Sequence, residues 1–176
     1  MNLAAQIFGI LAFLTSVISF QLKKYRDILI VQTLCAACFA IHFGLLAAAG
    51  QADALTGAVL NGVCMVRDLV LLFTAKTRTE KGTRILAAVF SLVIIALGIL
   101  TWHSAASLLF IIAMTLNTVA LSIPDPQHVR IFIMISSPFA LGYDIINGSI
   151  GGIINEVFSF LSALTALLRY RREKKE

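Results

Sequence analysis

The chain has 176 residues, of which 59% are hydrophobic and only 13% are charged. A soluble domain carries roughly 25% charged residues, so water is not the main solvent of this protein and an ordinary water-soluble domain is excluded. The formal net charge of +5 is explained by basic loops between apolar segments, so it does not indicate a nucleic-acid partner.

Seven apolar segments follow one another, separated wherever charge, Pro or Gly interrupts the hydrophobic run. Segments of about 18 to 21 residues match a bilayer core of roughly 30 Å at about 1.5 Å per residue. Each is predicted to be a helix, because the sequence lacks the alternating segments of about ten residues that a membrane barrel needs. The predicted spans are Leu3–Gln21, Ile28–Ala47, Ala54–Thr74, Ile85–Thr101, Ser104–Ile123, Val129–Asn147 and Gly151–Tyr170.

Lys and Arg residues lie in alternate loops. They occur in the first, third and fifth loops and in the C-terminal tail, whereas residues 48–53, 102–103 and 148–150 contain none. The positive-inside rule then places the N-terminus outside and the C-terminus in the cytoplasm. The basic tail from Arg169 to Lys175 is expected to anchor this orientation, because it attracts anionic lipid.

An internal repeat is indicated by short matches between spans. Residues 60–64 of the third span and 154–158 of the seventh share a branched apolar residue, Asn, any residue, Val and a further apolar residue. The first span ends at Phe20-Gln21 and the fifth near Pro126-Gln127, each before a basic residue. These matches predict a 3+1+3 parallel repeat, in which bundles 1–76 and 104–176 are joined by a linker helix within 77–103.

Short motifs in this sequence resemble those of two related groups of proteins. The segments Gln6–Gly9 and Ser19–Lys23, and later Asn155-Glu156 followed by Ser162 and Arg169, are similar to bacterial inner-membrane proteins of the YgjV type. The 3+1+3 arrangement and the Pro-Gln dipeptide resemble the PQ-loop superfamily, which includes the SWEET and SemiSWEET sugar transporters. The resemblance implies a SWEET-like fold in a bacterial inner membrane, with the Asn residues of spans three and seven contacting solute in a central cavity.

The chain also departs from the sugar-transporter pattern. The first repeat has Phe20-Gln21 in place of Pro-Gln, and Pro138 in the sixth span has no counterpart in the second. The only Trp, Trp102, lies in a loop, although SWEET-like sites often hold the sugar between aromatic residues. The class of solute therefore stays open.

Polar residues inside the spans point to an interior surface without any reference to a family. Such side chains cost about 2.5 to 3.5 kcal/mol near the bilayer centre when charged, so they normally face the bundle interior. Asn61 and Asp68 share one face of the third span, and the seventh carries a polar stripe at helical spacing. The candidate substrate-binding residues are Asn61, Asn155, Glu156, His42, Ser159 and Ser162. The alternative is that these residues only join helices through hydrogen bonds.

A second set of residues is predicted to gate or couple transport. A carboxyl group removed from water protonates more easily, so Glu156 could carry a coupling proton or serve as a neutral hydrogen-bond donor. Arg67, which could snorkel to the headgroups, and Asp68 are candidates for an inner gate, and Pro138 is a candidate hinge. The full set is Glu156, Arg67, Asp68, Tyr143, Asp144, Gln21, Gln127 and Pro138.

Other classes of function find less support. Cys35, Cys38 and His42 lie on one helical face, but a fourth metal ligand is not identified, so no metal or cofactor is expected. No HExxH or GxSxG motif indicates an enzyme, and the last span lacks the Lys that a retinal protein needs. The sequence predicts a transporter of a small polar solute, facilitative or proton-coupled, that rocks two bundles around a midplane site. The alternative is an accessory or signalling subunit, and whether the chain forms a homo-oligomer is open. A transporter should enclose a cavity that touches both Asn61 and Asn155.

Overall fold

The structure is a computed structural model that describes residues 2–22, 25–120 and 126–173. Within these ranges the chain forms seven α-helices. They are α1 (Leu3–Gln21), α2 (Tyr25–Ala48), α3 (Ala54–Thr74), α4 (Glu80–Leu100), α5 (Ala105–Ala120), α6 (Pro126–Ile146) and α7 (Ile150–Glu173). The predicted all-α class and the predicted helix count are confirmed for the described residues.

Helix α4 begins five residues earlier than its hydropathy predicted, a larger difference than at the start of any other helix. The apolar run of the fourth span starts at Ile85, but α4 starts at Glu80. Thr79 caps this helix by accepting a hydrogen bond from the Gly82 backbone N–H, and Glu80 lies in the first turn, where its charge complements the helix dipole. Capping therefore extends α4 by a turn that is too polar to be part of the apolar run.

The described helices are suited to lipid. Five of them are long and apolar enough to cross a membrane, namely Arg26–Ala48, Ala54–Thr74, Glu80–Leu100, His128–Ile146 and Ile150–Leu168. Leu3–Ser19 and Ala105–Ala120 are shorter apolar helices. Large apolar side chains such as Phe73 and Leu100 lie on the outer surface, 80% and 78% exposed, whereas many polar ones are buried. The chain is a membrane protein with several spanning helices.

Six helices form a ring and the seventh lies outside it. α2 packs between α1 and α3, and α6 packs between α5 and α7. The ring is completed where α1 meets α7 and α3 meets α5, and α4 packs against both α3 and α5. At the contact of α1 with α7, a side chain on Gly151 would collide with the backbone of Gly9.

The two ends of this ring differ in their turns. α1, α3, α5 and α7 begin at one end, which holds the turns 49–53, 101–104 and 147–149 and is called the Asp53 end. The opposite end holds the turn 75–79 and is called the Arg78 end. α2 and α6 both stop at the Asp53 end with a glycine at positive φ, Gly50 and Gly148. In each case the next backbone N–H returns to a carbonyl five residues earlier, from Gln51 to Leu46 and from Ser149 to Asp144.

Candidate functional site

Three aromatic side chains pack inside the ring of helices near the Asp53 end. Phe110 stacks on Tyr143 with 4.3 Å between ring centroids, and the Phe43 ring lies 5.4 Å from that of Tyr143. The Tyr143 hydroxyl donates to the Asp53 carbonyl at 2.7 Å and accepts from the Gly57 N–H at 2.8 Å. Phe43, Phe110 and Tyr143 are called the aromatic plug, and Tyr143 ties α6 to the first turn of α3.

Further polar contacts at this end join helices α1–α3 to helices α5–α7. The Gln6 side chain of α1 donates to the Gly148 carbonyl at 2.9 Å and accepts from the Ile150 N–H at 3.1 Å. His42 Nε2 of α2 lies 2.8 Å from the Ser149 hydroxyl. The Thr56 and Ser107 hydroxyls lie 3.0 Å apart. The Asp53 end is thus closed by polar bonds between α1–α3 and α5–α7.

Two carboxyl groups lie behind this closure, on α6 and α7. Asp144 is only 3% exposed, and its carboxyl group lies within electrostatic range of the Glu156 carboxyl group. Asn155 donates from Nδ2 to Glu156 Oε1 at 3.2 Å, and Ser137 also interacts with that carboxyl. Among the described residues, the buried oxygens Asp144 Oδ1 and Asn155 Oδ1 have no hydrogen-bond partner. A buried acceptor without a donor needs a partner, which an ordered water, an additional proton or a bound solute would supply.

Side chains from opposite sides of the ring approach one another at its centre. The Cys35 thiol of α2 donates to the Ala12 carbonyl at 3.3 Å and lies within electrostatic range of both Asp68 and Glu156. α3 and α7 are not in direct backbone contact among the described residues. Cys35 is therefore within electrostatic range of polar residues on two helices that do not pack against each other.

A buried ion pair lies between α3 and α5. Arg67 contacts Asp68 Oδ1 from Nε at 3.0 Å and from Nη2 at 2.9 Å, and its Nη1 donates to the Thr118 hydroxyl at 2.7 Å. Arg67 is 8% exposed, so it does not extend to the surface as the snorkelling expected from the sequence would require. It lines a small cleft together with Leu71 of α3 and Thr118 of α5. Neither Asn61 nor Asn155 lines that cleft.

The remaining predicted residues are dispersed over the bundle. The Asn61 amide is buried and donates to the carbonyl of Gly57 in its own helix at 2.8 Å. Ser159 is buried, Ser162 is half-buried, and Pro138 lies exposed within the continuous helix α6. The side chains of Gln21 and Gln127, and the loop residues Lys23 and Lys24, lie outside the described residues.

Two residues that complete the site, Gln6 and Ser149, were not among the predicted site residues. Ser149 belongs to a Gly-containing turn of ordinary composition, and Gln6 was noted only as part of a motif. A polar residue at the apolar start of α1 was the available signal for Gln6. For Ser149, the partner His42 lies 107 positions away, so its role depends on the tertiary structure.

The fold and the site define a multi-pass membrane protein with buried polar groups between its helices. The chain belongs to the Imp-YgjV family of bacterial inner membrane proteins, whose family model matches residues 3–174. The predicted similarity to YgjV-type proteins is thereby confirmed. No curated protein and no solved structure matches the chain. Its similarity to the SWEET transporters stays a prediction.

Proposed function

We propose that this protein transports a small polar solute by rocking two three-helix bundles, α1–α3 and α5–α7, around the polar residues between them. The observation that carries the proposal is the arrangement of the buried polar groups. Reversible hydrogen bonds between the bundles lie at the Asp53 end, and the carboxyl groups of Asp144 and Glu156 lie behind them. Ionisable groups at membrane depth are costly and mark solute or proton pathways.

The order of helices in the ring supports a 3+1+3 repeat. Exchanging α1 with α5, α2 with α6 and α3 with α7 returns the same set of neighbouring pairs, and leaves α4 as the extra helix. The matching glycine caps at the ends of α2 and α6 support the same correspondence. Rocking of two such units against each other is the usual way in which repeat-built transporters expose a site alternately.

The charge pattern supports an orientation with the Asp53 end outside. The turns of that end contain no Lys or Arg, whereas the turn 75–79 of the Arg78 end contains Lys76 and Arg78. In this orientation the N-terminus is outside and the C-terminus is in the cytoplasm. The aromatic plug and the polar bonds around it then close the site to the outside.

The chemistry of the interior indicates the class of solute. Asn155 Oδ1 is a buried acceptor without a donor among the described residues, and Asn61 and Glu156 add further amide and carboxyl groups. A hydroxylated or amide-bearing solute can donate to such acceptors and accept from the amide groups. The proposal involves no catalytic step.

A ligand screen of the purified protein tests this function. We expect one class among sugars, polyols, amino acids and nucleobases to raise the unfolding temperature, and the same solute to enter proteoliposomes that contain the protein. Asn155→Ala should abolish both effects. Asn2→Ala is the matched control, because the Asn2 side chain caps the start of α1 and is not one of the candidate substrate-binding residues.

Two results would contradict the proposal. If no solute of these classes stabilises the protein or enters the vesicles, transport is refuted and the role of an accessory or signalling subunit takes its place. If Asn155→Ala transports as well as the unchanged protein, the polar site is not where solute binds.

A further inference from the structure

We propose that Asp144, Ser149 and His42 form a proton relay, in which a proton moves between Asp144 and His42 through the Ser149 hydroxyl. The bound species is the proton itself, held in the closed Asp53 end. This inference rests on the proposed function only in assigning that proton to the transport cycle. The proton transfer is a property of the folded protein without solute.

The contacts of His42 determine which ring nitrogen changes its protonation. Nδ1 lies 2.6 Å from the Ala5 carbonyl oxygen, and because a carbonyl only accepts, Nδ1 carries a hydrogen. Nε2 faces the Ser149 hydroxyl at 2.8 Å. The side chain is fully buried against Phe39 and Phe43. Neutral His42 therefore presents a lone pair to Ser149, and charged His42 presents a second N–H.

Ser149 has the hydrogen-bonding capacity of a relay between two groups. Its hydroxyl offers one hydrogen and two lone pairs, and one lone pair accepts from the Gly152 N–H at 3.1 Å. One donor and one acceptor function remain for His42 and for the Asp144 carboxyl, with which Ser149 also interacts. A side chain on Gly152 would collide with the Asp144 carboxyl, and its Cβ would lie 2.5 Å from Ser149 Oγ. Both groups therefore occupy the space beside Gly152.

Only two arrangements of the protons give each of the three side chains, Asp144, Ser149 and His42, a hydrogen-bond partner in the relay. In the first, protonated Asp144 donates to Ser149, and Ser149 donates to neutral His42. In the second, charged His42 donates from Nε2 to Ser149, and Ser149 donates to the Asp144 carboxylate.

Conversion between the two arrangements balances without any further reactant. The Asp144 O–H bond breaks as its proton binds to Ser149 Oγ, while the original Ser149 O–H bond breaks as an N–H bond forms at His42 Nε2. The net charge is unchanged, because a carboxylate and an imidazolium replace two neutral groups. No electron is transferred.

The neighbouring ionisable groups bias this equilibrium. Glu156 of α7 faces Asp144, and its negative charge favours the arrangement in which Asp144 keeps the proton. Tyr143 is the neighbour of Asp144 on α6, and it interacts with Asp53 at the start of α3. Cys38 precedes His42 by one turn of α2, and the described helices α1 and α5 contain no ionisable side chain. Protonation of Glu156 would thus move the relay proton toward His42.

Nitrogen NMR of histidine-labelled protein in lipid nanodiscs, combined with infrared detection of protonated carboxyl groups, tests the relay. No solute is added. We expect neutral His42 as the Nδ1–H tautomer, and we expect a carboxyl band and the His42 signal to change together during a pH titration. His103→Gln, which removes an exposed histidine, should leave both signals unchanged.

Single substitutions test the contribution of each residue to the relay. Asp144→Asn should weaken proton binding at His42 about tenfold, since the imidazolium loses its carboxylate partner, and Asp27→Asn at the other end of α2 should not. Ser149→Ala should make the His42 and carboxyl transitions independent. A Nε2–H tautomer in the unchanged protein overturns the relay even if no variant folds, as does unchanged proton binding at His42 in Asp144→Asn.

These outcomes are distinct from failure of the proposed function. Coupled titration in a protein that transports none of the tested solutes keeps the relay and refutes transport. Solute transport with the same pH dependence in Asp144→Asn and the unchanged protein keeps transport and refutes the assignment of the relay proton to the transport cycle.

Discussion

The Tyr143 side chain makes two kinds of contact at the Asp53 end. Its ring packs between Phe43 and Phe110, and its hydroxyl bonds to the Asp53 carbonyl and to the Gly57 N–H. A Cβ on Gly57 would lie 2.6 Å from that hydroxyl, so only glycine admits this close approach. Closure of the Asp53 end therefore depends on a tyrosine on α6 and a glycine on α3.

We expect Tyr143→Phe to lower the free energy of unfolding by about 1 to 2 kcal/mol, because the ring stays while a donor and an acceptor are lost. Tyr170→Phe is the matched control, since Tyr170 is 43% exposed. Denaturant unfolding of the purified variants measures both effects. Equal stability of the two variants would show that the hydroxyl bonds do not hold the bundles together.

The sequence pointed to some residues of the Asp53 end because burial in lipid restricts polar residues, and the roles predicted for these residues stay predictions. His42, Tyr143 and Asp144 were all predicted as cavity, rim or gate residues, and all three are buried at the Asp53 end. The partners of these residues were not predictable. The Ser149 and Gly57 contacts join residues 107 and 86 positions apart, and periodicity within a helix contains no information about them.

At the scale of the helices, hydropathy predicted the elements well but contained no information about which helices pack together. α3 has its predicted bounds, whereas α4 begins earlier because Thr79 caps it. The contact of α1 with α7 uses two glycines, Gly9 and Gly151, that follow no shared motif. Small residues allow membrane helices to approach closely, and which pair does so is decided by the tertiary packing.

Gly151→Ala should destabilise the protein by about 1 to 3 kcal/mol, because the new methyl group would collide with the Gly9 backbone and force α1 and α7 apart. Gly44→Ala in α2 is a matched control with nothing within 4 Å of the added Cβ. It should be neutral or stabilising by up to about 1 kcal/mol, since alanine favours helix more than glycine does. Thermal unfolding in detergent compares them, and similar values for both variants would contradict the close approach.

For the whole molecule, the arrangement in the membrane depends on the shorter helices. The described part of α5 has 16 residues, which corresponds to about 24 Å at 1.5 Å per residue, compared with roughly 30 Å for a bilayer core. A short helix can still cross if the bilayer thins locally. The proposed 3+1+3 repeat requires α5 to cross the membrane, because α5 in the second bundle corresponds to α1 in the first.

Single cysteines at exposed positions test both the orientation and this crossing. Gln51 and His103 lie at the Asp53 end, Thr77 lies at the Arg78 end, and His128 follows α5. In intact cells we expect an impermeant maleimide to label Gln51→Cys and His103→Cys. It should label Thr77→Cys and His128→Cys only after the membrane is permeabilised, because basic loops stay in the cytoplasm. The unchanged protein, whose Cys35, Cys38 and Cys64 lie within helices, gives the background.

Each pair of positions isolates one feature of the topology. Gln51 and Thr77 flank α3. If Thr77→Cys and not Gln51→Cys is labelled in intact cells, the protein has the reverse orientation, although α3 still crosses the membrane. His103 and His128 flank α5, so labelling of both from one side would mean that α5 does not cross. The two bundles would then face opposite ways across the membrane, and a parallel repeat could not describe them.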